Sequence, residues 1–244
     1  MPYKLWNSGE VLTSADFNSY IAKQSVITCT SATRPTTGLV EGMTIFQTDT
    51  DNHWFYDGAT WMPASGLQSM KPTSVTNGTA TGNIVTFTNQ ASVTVNGVFN
   101  TNYNQFRVLI TAFNVANTSA YARLQVTIAG VAQTTGYVSK SIWTNAGVGS
   151  TVWQDYDAPS TAVSLGGLGG TTYPSQYSLD VSYPASSSYQ SYWTGHYTGT
   201  QPTVANYMGL IGGVWQSTAA FDGFKLFAAT GQNISGEIRV FGYR

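Results

Sequence analysis

The residues best placed to recognise something lie in Tyr183-Pro-Ala-Ser-Ser-Ser-Tyr-Gln-Ser-Tyr-Trp-Thr-Gly-His-Tyr197. Tyrosine, serine and glycine with an occasional tryptophan is the composition of an adaptable recognition surface. Tyrosine and tryptophan each pair an apolar face with a polar tip. A sugar offers the complement, an apolar C–H face ringed by hydroxyls. Tyr189, Tyr192, Trp193, His196 and Tyr197 are therefore candidate carbohydrate contacts, and Trp143 (near Asn145) and Trp153 (beside Gln154) extend the set. The competing reading of the same aromatics is that they fill the core of a β-domain while serine and threonine face water.

Reactive chemistry finds less support. Asp155-Tyr-Asp157 offers two carboxylates of the kind that cleave glycosidic bonds, with Asp180, Asp222 and Glu237 elsewhere in the same region. No Gly-x-Ser-x-Gly elbow or similar nucleophile signature accompanies them, and no enzymatic activity is expected. His53 and His196 do not form a paired metal spacing. Asp49-Thr-Asp51-Asn52 lacks the glycine and terminal glutamate of a calcium loop and reads as a turn. Leu165-Gly-Gly-Leu-Gly-Gly170 is followed by neither Gly-Lys-Ser/Thr nor a helix, so it is a flexible loop or a point of close chain packing rather than a phosphate cradle. No cofactor and no metal are expected.

Composition sets the frame. The 244 residues have room for one or two domains. Only 9% are charged while 14% are aromatic, so the chain is not of the disordered class and its surface must be built from hydroxyls and amides. A net charge of −1 sets up no basic face for nucleic acid. Apolar runs fall short of the ~20 residues that span a bilayer, so no membrane insertion is expected. Nor does a basic segment followed by an apolar one open the chain as a secretory signal does. The single cysteine, Cys29, rules out an intrachain disulfide framework and reads as a buried, inert thiol.

The elements that position these residues fall into two parts. Thr13 as N-cap with Asp16 three residues on, and Leu12 and Phe17 at the positions of a hydrophobic staple, predict a helix over 14–25. Phe17, Tyr20, Ile21 and Gln24 share one face of it. Residues 26–41 read as loop. Thr44–Gln47, His53–Tyr56 and Thr60–Met62 read as a three-strand meander, closed by the Asp57-Gly58 turn. This leading piece, 1–65, is near the size at which a fold needs outside help. Yet it carries Trp6, Phe17, Phe46, Trp54, Phe55 and Trp61. Self-association through Trp6, Leu12, Phe17, Tyr20, Ile21, Trp54 and Trp61 resolves the mismatch. Residues 66–82, rich in Gly, Ser, Thr and Pro, read as a linker.

From 83 to 244 short strands recur: 83–88, 91–95, 105–113, 120–129, 136–143, 177–183, 190–197, 205–212, 221–228 and 236–243. In Leu124-Gln-Val-Thr-Ile128 every second residue is apolar, giving one buried face. Ten strands without a helical window predict a mainly β fold: a helix-plus-meander module followed by an antiparallel, jelly-roll-like β-sandwich.

The segment Trp6-Asn-Ser-Gly-Glu-Val-Leu-Thr-Ser-Ala-Asp-Phe-Asn18, with Arg34-Pro35, Gly42-Met43, Thr48-Asp49-Thr50 and Tyr56-Asp-Gly-Ala-Thr-Trp61, resembles the N-terminal module of tailed-bacteriophage tail-fibre and minor structural proteins. Val93–Ile110 and Asn233–Arg244 are similar to the edges of a β-sandwich domain common in phage fibres. The resemblance implies a virion component, assembled in the host cytoplasm, docked to other virion proteins by its N-terminus and commonly trimeric. Outward-facing domains of such proteins often contact host-surface glycan; others only decorate the tail or capsid, and a glycan-cleaving spike is a third variant. The resemblance carries over no catalytic residue. Without a long coiled-coil or triple-β shaft the chain would form a short knob.

Overall fold

The computed structural model describes residues 8–16, 26–64, 66–116, 120–145, 152–200 and 206–243. In chain order its elements are α1 (Ser14–Asp16), β1 (Ile27–Cys29), β2 (Thr44–Gln47), β3 (Asn52–Tyr56), β4 (Trp61–Pro63), β5 (Gln68–Ser69), β6 (Ser74–Thr76), β7 (Thr79–Thr81), β8 (Ile84–Gln90), β9 (Ser92–Asn96) and β10 (Gln105–Asn114). They continue as β11 (Ala120–Ile128), β12 (Val131–Ala132), β13 (Tyr137–Asn145), β14 (Val152–Ser160), β15 (Val163–Leu168), β16 (Ser175–Ser182), β17 (Ser191–Thr200), β18 (Asn206–Trp215), β19 (Gly223–Ala228) and β20 (Ile234–Tyr243). The chain divides into two compact units, residues 1–68 and 69–244.

The first unit starts with the capping box read from the sequence. The Asp16 N–H donates to Thr13 Oγ1 at 3.1 Å, and the Asp16 carboxylate accepts in return from the Thr13 N–H. Beyond Asp16 the predicted helix, with Phe17, Tyr20 and Ile21, lies outside the described residues, as does Trp6. The three meander strands form as expected and gain a fourth: β1, read from the sequence as loop, pairs in parallel with β2. The pairing sinks Cys29 beside Ile45 and Trp54, where burial pushes the thiol pKa up. Asp49 ties down the chain after β1 by accepting from the backbone N–H and hydroxyl of Ser31. The Asp57 carboxylate accepts from the N–H groups of Ala59 and Thr60, which fixes the β3–β4 turn.

This core hides some of the rings assigned above to self-association. Trp54 is buried beneath the Arg34 guanidinium, 4.3 Å from the ring centroid, and the Trp61 indole donates to the Pro35 carbonyl at 3.0 Å. Both rings are spent on internal packing. Among the described residues, the large apolar side chains this unit exposes are Val11, Leu12, Val26, Phe55 and Leu67.

The second unit is an antiparallel β-sandwich. Its larger sheet runs β14-β13-β18-β17-β16-β10-β20-β8-β7, and its smaller one β12-β11-β19-β9-β6, with β15 also pairing with β11. All ten strands expected beyond residue 83 are present. The two-residue period of each sends alternate side chains inward: Phe106, Val108, Ile110 and Ala112 from β10, Tyr177, Leu179 and Val181 from β16, Val93 and Val95 from β9, and Phe224 and Leu226 from β19. One hydrophobic core lies between the sheets.

Two expectations need correction and a third, left open, is decided. Residues 74–81 are not linker: β6 pairs with β9 in the small sheet and β7 with β8 in the large one, the chain changing sheets at Asn77-Gly78. Serine and threonine suit these short edge strands, which need no apolar face of their own. Strand β11 is buried on both sides, because Gln125 donates to the Thr161 carbonyl and Thr127 to Asn96 Oδ1, satisfying the polar face without water. The glycine cluster forms β15, buried along its whole length. Of the two readings of that cluster, close chain packing is the one observed.

Candidate functional site

Six strands of the large sheet set the geometry, with β17 among their middle members. Trp193 and Tyr197 point into the core, while Tyr192, Thr194, His196 and Thr198 point out. The inward pair is fully enclosed. Trp193, with no exposed surface, stacks on Phe221 at 6.2 Å and meets Phe99 edge-on at 6.3 Å. Tyr197 stacks on Tyr177 at 5.9 Å and is covered by the glycine strand: a Cβ added at Gly166 would lie 2.3 Å from its ring. Neither ring is available to a sugar, so both are withdrawn as contacts. Their size explains this, because a large ring gains most when it leaves water.

The other sequence-nominated residues scatter. Tyr189 is exposed in the turn before β17, its ring 5.1 Å from that of Tyr183. Tyr192 is half exposed on the outer face, four residues from His196 and so roughly 13 Å along the strand. Trp143 is partly buried against the core and borders a hollow described next. Trp153 pairs with Trp143 in the β13–β14 register, and Asp155 and Asp157 pair with Ser141 and Ser139. The side chains of Trp153, Asp155 and Asp157 lie outside the described residues.

The register assembles the outer face into rows across the sheet. One row reads Glu237, Thr111, Gln176, Thr198, Met208, Thr144; the next reads Arg239, Leu109, Ser178, His196, Leu210, Ile142. Two hollows are sunk in these rows. One of about 390 Å³ lies over β20, β10, β16 and β17, with Glu237, Arg239, Gln176, Ser178 and Thr111 around it. The second, of about 370 Å³, lies over β17, β18 and β13 between Ile142, Met208 and Leu210. His196 and Thr198 line both. The first hollow is the more polar of the two, although Leu109 and Ile110 also line it, and the second is apolar.

Charge on this face is compensated locally. Arg239 Nε donates to Glu237 Oε1 at 2.6 Å. One row further, Arg107 grips Asp180 through two bonds of 2.9 Å, and the Tyr243 hydroxyl donates to the same carboxylate at 3.0 Å. Burial alone would raise the Asp180 pKa. The hydrogen bonds from Arg107 and Tyr243 and the Arg107 charge outweigh that and hold it below the ordinary carboxylate value. Asp180 and Glu237 stand two strands and four residues apart, about 17 Å by standard sheet spacings. Glycosidases hold their carboxylates about 5–10 Å apart, so this pair cannot act as one.

Beneath the hollows a buried polar network fixes the floor. Ser175 Oγ accepts from the Gly169 N–H at 2.8 Å and shares a 2.7 Å bond with the Tyr207 hydroxyl, while Tyr177 donates to the Gly167 carbonyl. Burial pushes the Tyr207 pKa up to about 12 and that of Tyr177 well above its usual value, so both stay neutral donors. Among the described residues no group of three His, Cys, Asp or Glu side chains is placed to hold a metal ion, and no helix is long and apolar enough to cross a membrane.

Arg239, Gln176, Ser178, Thr198, Met208, Leu210 and Ile142 were not singled out from the sequence, and Glu237 was named only as one of the region's acids. The signal was the two-residue period: once Trp193 and Tyr197 are assigned inward, His196 and Thr198 must face out, with their register partners.

No family model and no curated protein matches the chain. Among solved structures, the exoplasmic/lumenal domain of VIP36, bound to Ca²⁺ and Man3GlcNAc, aligns over 74% of this chain and 91% of that one, at 8% identity and a TM-score of 0.30. Similarity at that level carries no argument about what this chain binds.

Proposed function

We propose that the chain is a structural subunit of a bacteriophage particle, a short homotrimeric tail fibre or tip protein whose sandwich contacts host-surface carbohydrate. The N-terminal unit docks to other virion proteins and joins the copies. Its small core and the exposed Val11, Leu12, Val26 and Phe55 support self-association, since a unit of this size gains from covering such surface. The observation that carries the recognition half is the pair of hollows meeting at His196. Hydroxyl, amide and imidazole groups beside an apolar depression suit a ligand with hydroxyls on its edge and C–H bonds on its face. Single-site affinity for sugars is modest, and several copies on one particle multiply it.

The test uses the full chain. Sedimentation should give a trimer that Leu12→Ser with Phe55→Ser weakens. Labelled protein should adsorb to host cells, and His196→Ala should lower adsorption at unchanged stability and oligomeric state. A well-behaved monomer at micromolar concentration would remove the fibre reading. Burial of Trp193 and Tyr197 favours a second reading, a head-fibre or decoration protein without a host ligand. That reading predicts no adsorption by any variant.

A further inference from the structure

We infer that the two hollows form one extended subsite for a neutral, acyl-substituted sugar, its hydroxyls in the polar hollow and its acyl methyl in the apolar one. The inference rests on the carbohydrate reading and adds the ligand's class. Three observations carry it.

The first is continuity. Both hollows are lined by His196 and Thr198, so they share one border on β17 and a ligand crossing that strand touches both. From Leu109 on β10 to Ile142 on β13 is four strand spacings, roughly 19 Å. That is longer than one sugar ring and accommodates a disaccharide.

The second is charge. The one cation and one anion of the polar hollow, Arg239 and Glu237, are bonded to each other. Neither is left to hold a carboxylate, sulfate or ammonium group of the ligand, and breaking the pair would strand the other charge. A neutral ligand can still accept from the guanidinium and donate to the carboxylate.

The third is the shape of the apolar part. Leu210 and Met208 are 64% and 56% exposed and, with Ile142, surround a depression next to polar groups. A hydroxyl gains little from leaving water for such a depression, whereas an acetamido methyl gains from its burial. A second copy of the chain is the other occupant such a patch invites. A stable interface buries about 800 Å² per partner around an apolar centre. Here the apolar centre is three or four side chains around a depression bordered by His196, Thr198 and Thr144, which favours a small ligand.

The experiment titrates the full chain, by ligand-observed NMR or calorimetry at millimolar concentrations, with N,N′-diacetylchitobiose, cellobiose and sialyllactose. The first two share a neutral β1,4-linked backbone and differ in acetamido groups. Diacetylchitobiose should bind about fourfold or more tighter than cellobiose, the effect of burying one methyl-sized group at ~0.8 kcal/mol. Leu210→Ser should erase that difference, and His196→Ala should weaken both sugars. Equal binding of the two, still sensitive to His196→Ala, would overturn the acyl inference and leave the carbohydrate reading standing. Preference for sialyllactose would overturn neutrality. Absence of all binding, with Leu210→Ser lowering the oligomeric state, would overturn both and make the face an interface between copies.

Discussion

Trp193 and Tyr192 are neighbours in sequence and opposites in fate. One is sealed between the sheets against Phe99 and Phe221; the other is half exposed on the outer face. The same holds along β17, with Tyr197 inward and His196 outward. The inner face of this sheet is built from rings and aliphatic side chains, the outer from threonine, histidine, a few exposed Leu, Ile and Met side chains and paired charges. The contrast teaches that a recognition-like composition on a strand is two compositions interleaved, and only the half with the outward parity is open to anything outside the core.

The sharpest way to break this comparison is to truncate both neighbours. Trp193→Ala removes a fully buried ring and should cost about 3–5 kcal/mol. Tyr192→Ala should stay within about 0.5 kcal/mol. Denaturant midpoints with unchanged slopes check it. Equal costs would mean that β17 does not lie in the register described. Trp193→Phe should be far milder than alanine. It keeps most of the ring and deletes an indole N–H that has no acceptor among the described residues.

A smaller effect tests how the inner face fits together. Gly166 has φ +97° and lies against the Tyr197 ring, so Gly166→Ala meets both backbone strain and a 2.3 Å approach. The expected cost is about 1–3 kcal/mol. Adding Tyr197→Leu should relieve the steric part while leaving the backbone part. The double variant should then be less destabilised than the sum of the singles, since contacting sites couple. Strict additivity would show that the ring is not what demands the glycine.

The inner face was more legible in the sequence than the outer. Short β-runs, several with clean alternation as in Phe106, Val108 and Ile110, located ten of the thirteen strands beyond residue 83. β14 was missed because Asp155, Asp157 and Pro159 read as breakers, although a sheet-edge strand tolerates proline. β15 was missed because its glycines answer to a ring on another strand, Tyr197, and nothing local reveals that. β1 was missed because a parallel partner leaves no turn signal. The site was harder for a related reason. Glu237, Arg239, Gln176 and Leu210 lie far apart in the chain and meet only through the order of strands in the sheet. Aromatic content pointed instead to Trp193 and Tyr197, which the core had the stronger claim on.

The smallest effect belongs to the outer face and distinguishes the two by pH. Asp180 is bound by Arg107 and Tyr243, and its folded-state pKa lies below the ordinary value. A group depressed on folding contributes stability above its unfolded pKa, about 3.9, and that contribution disappears as pH falls through the lower folded value. The Arg107 and Asp180 side chains are 40% and 33% exposed, so solvent screening holds the contribution to about 1 kcal/mol or less. Asp180→Asn should therefore trail the parent chain by that amount at pH 7, and the gap should narrow once pH falls below the unfolded value of about 3.9. The deficit of Trp193→Ala should stay the same across the range, because no charge is involved. Urea midpoints for both variants at pH 7, 5 and 3 test this. A constant Asp180→Asn deficit down to pH 3 would show that packing, and not the ion pair, holds this corner of the outer face.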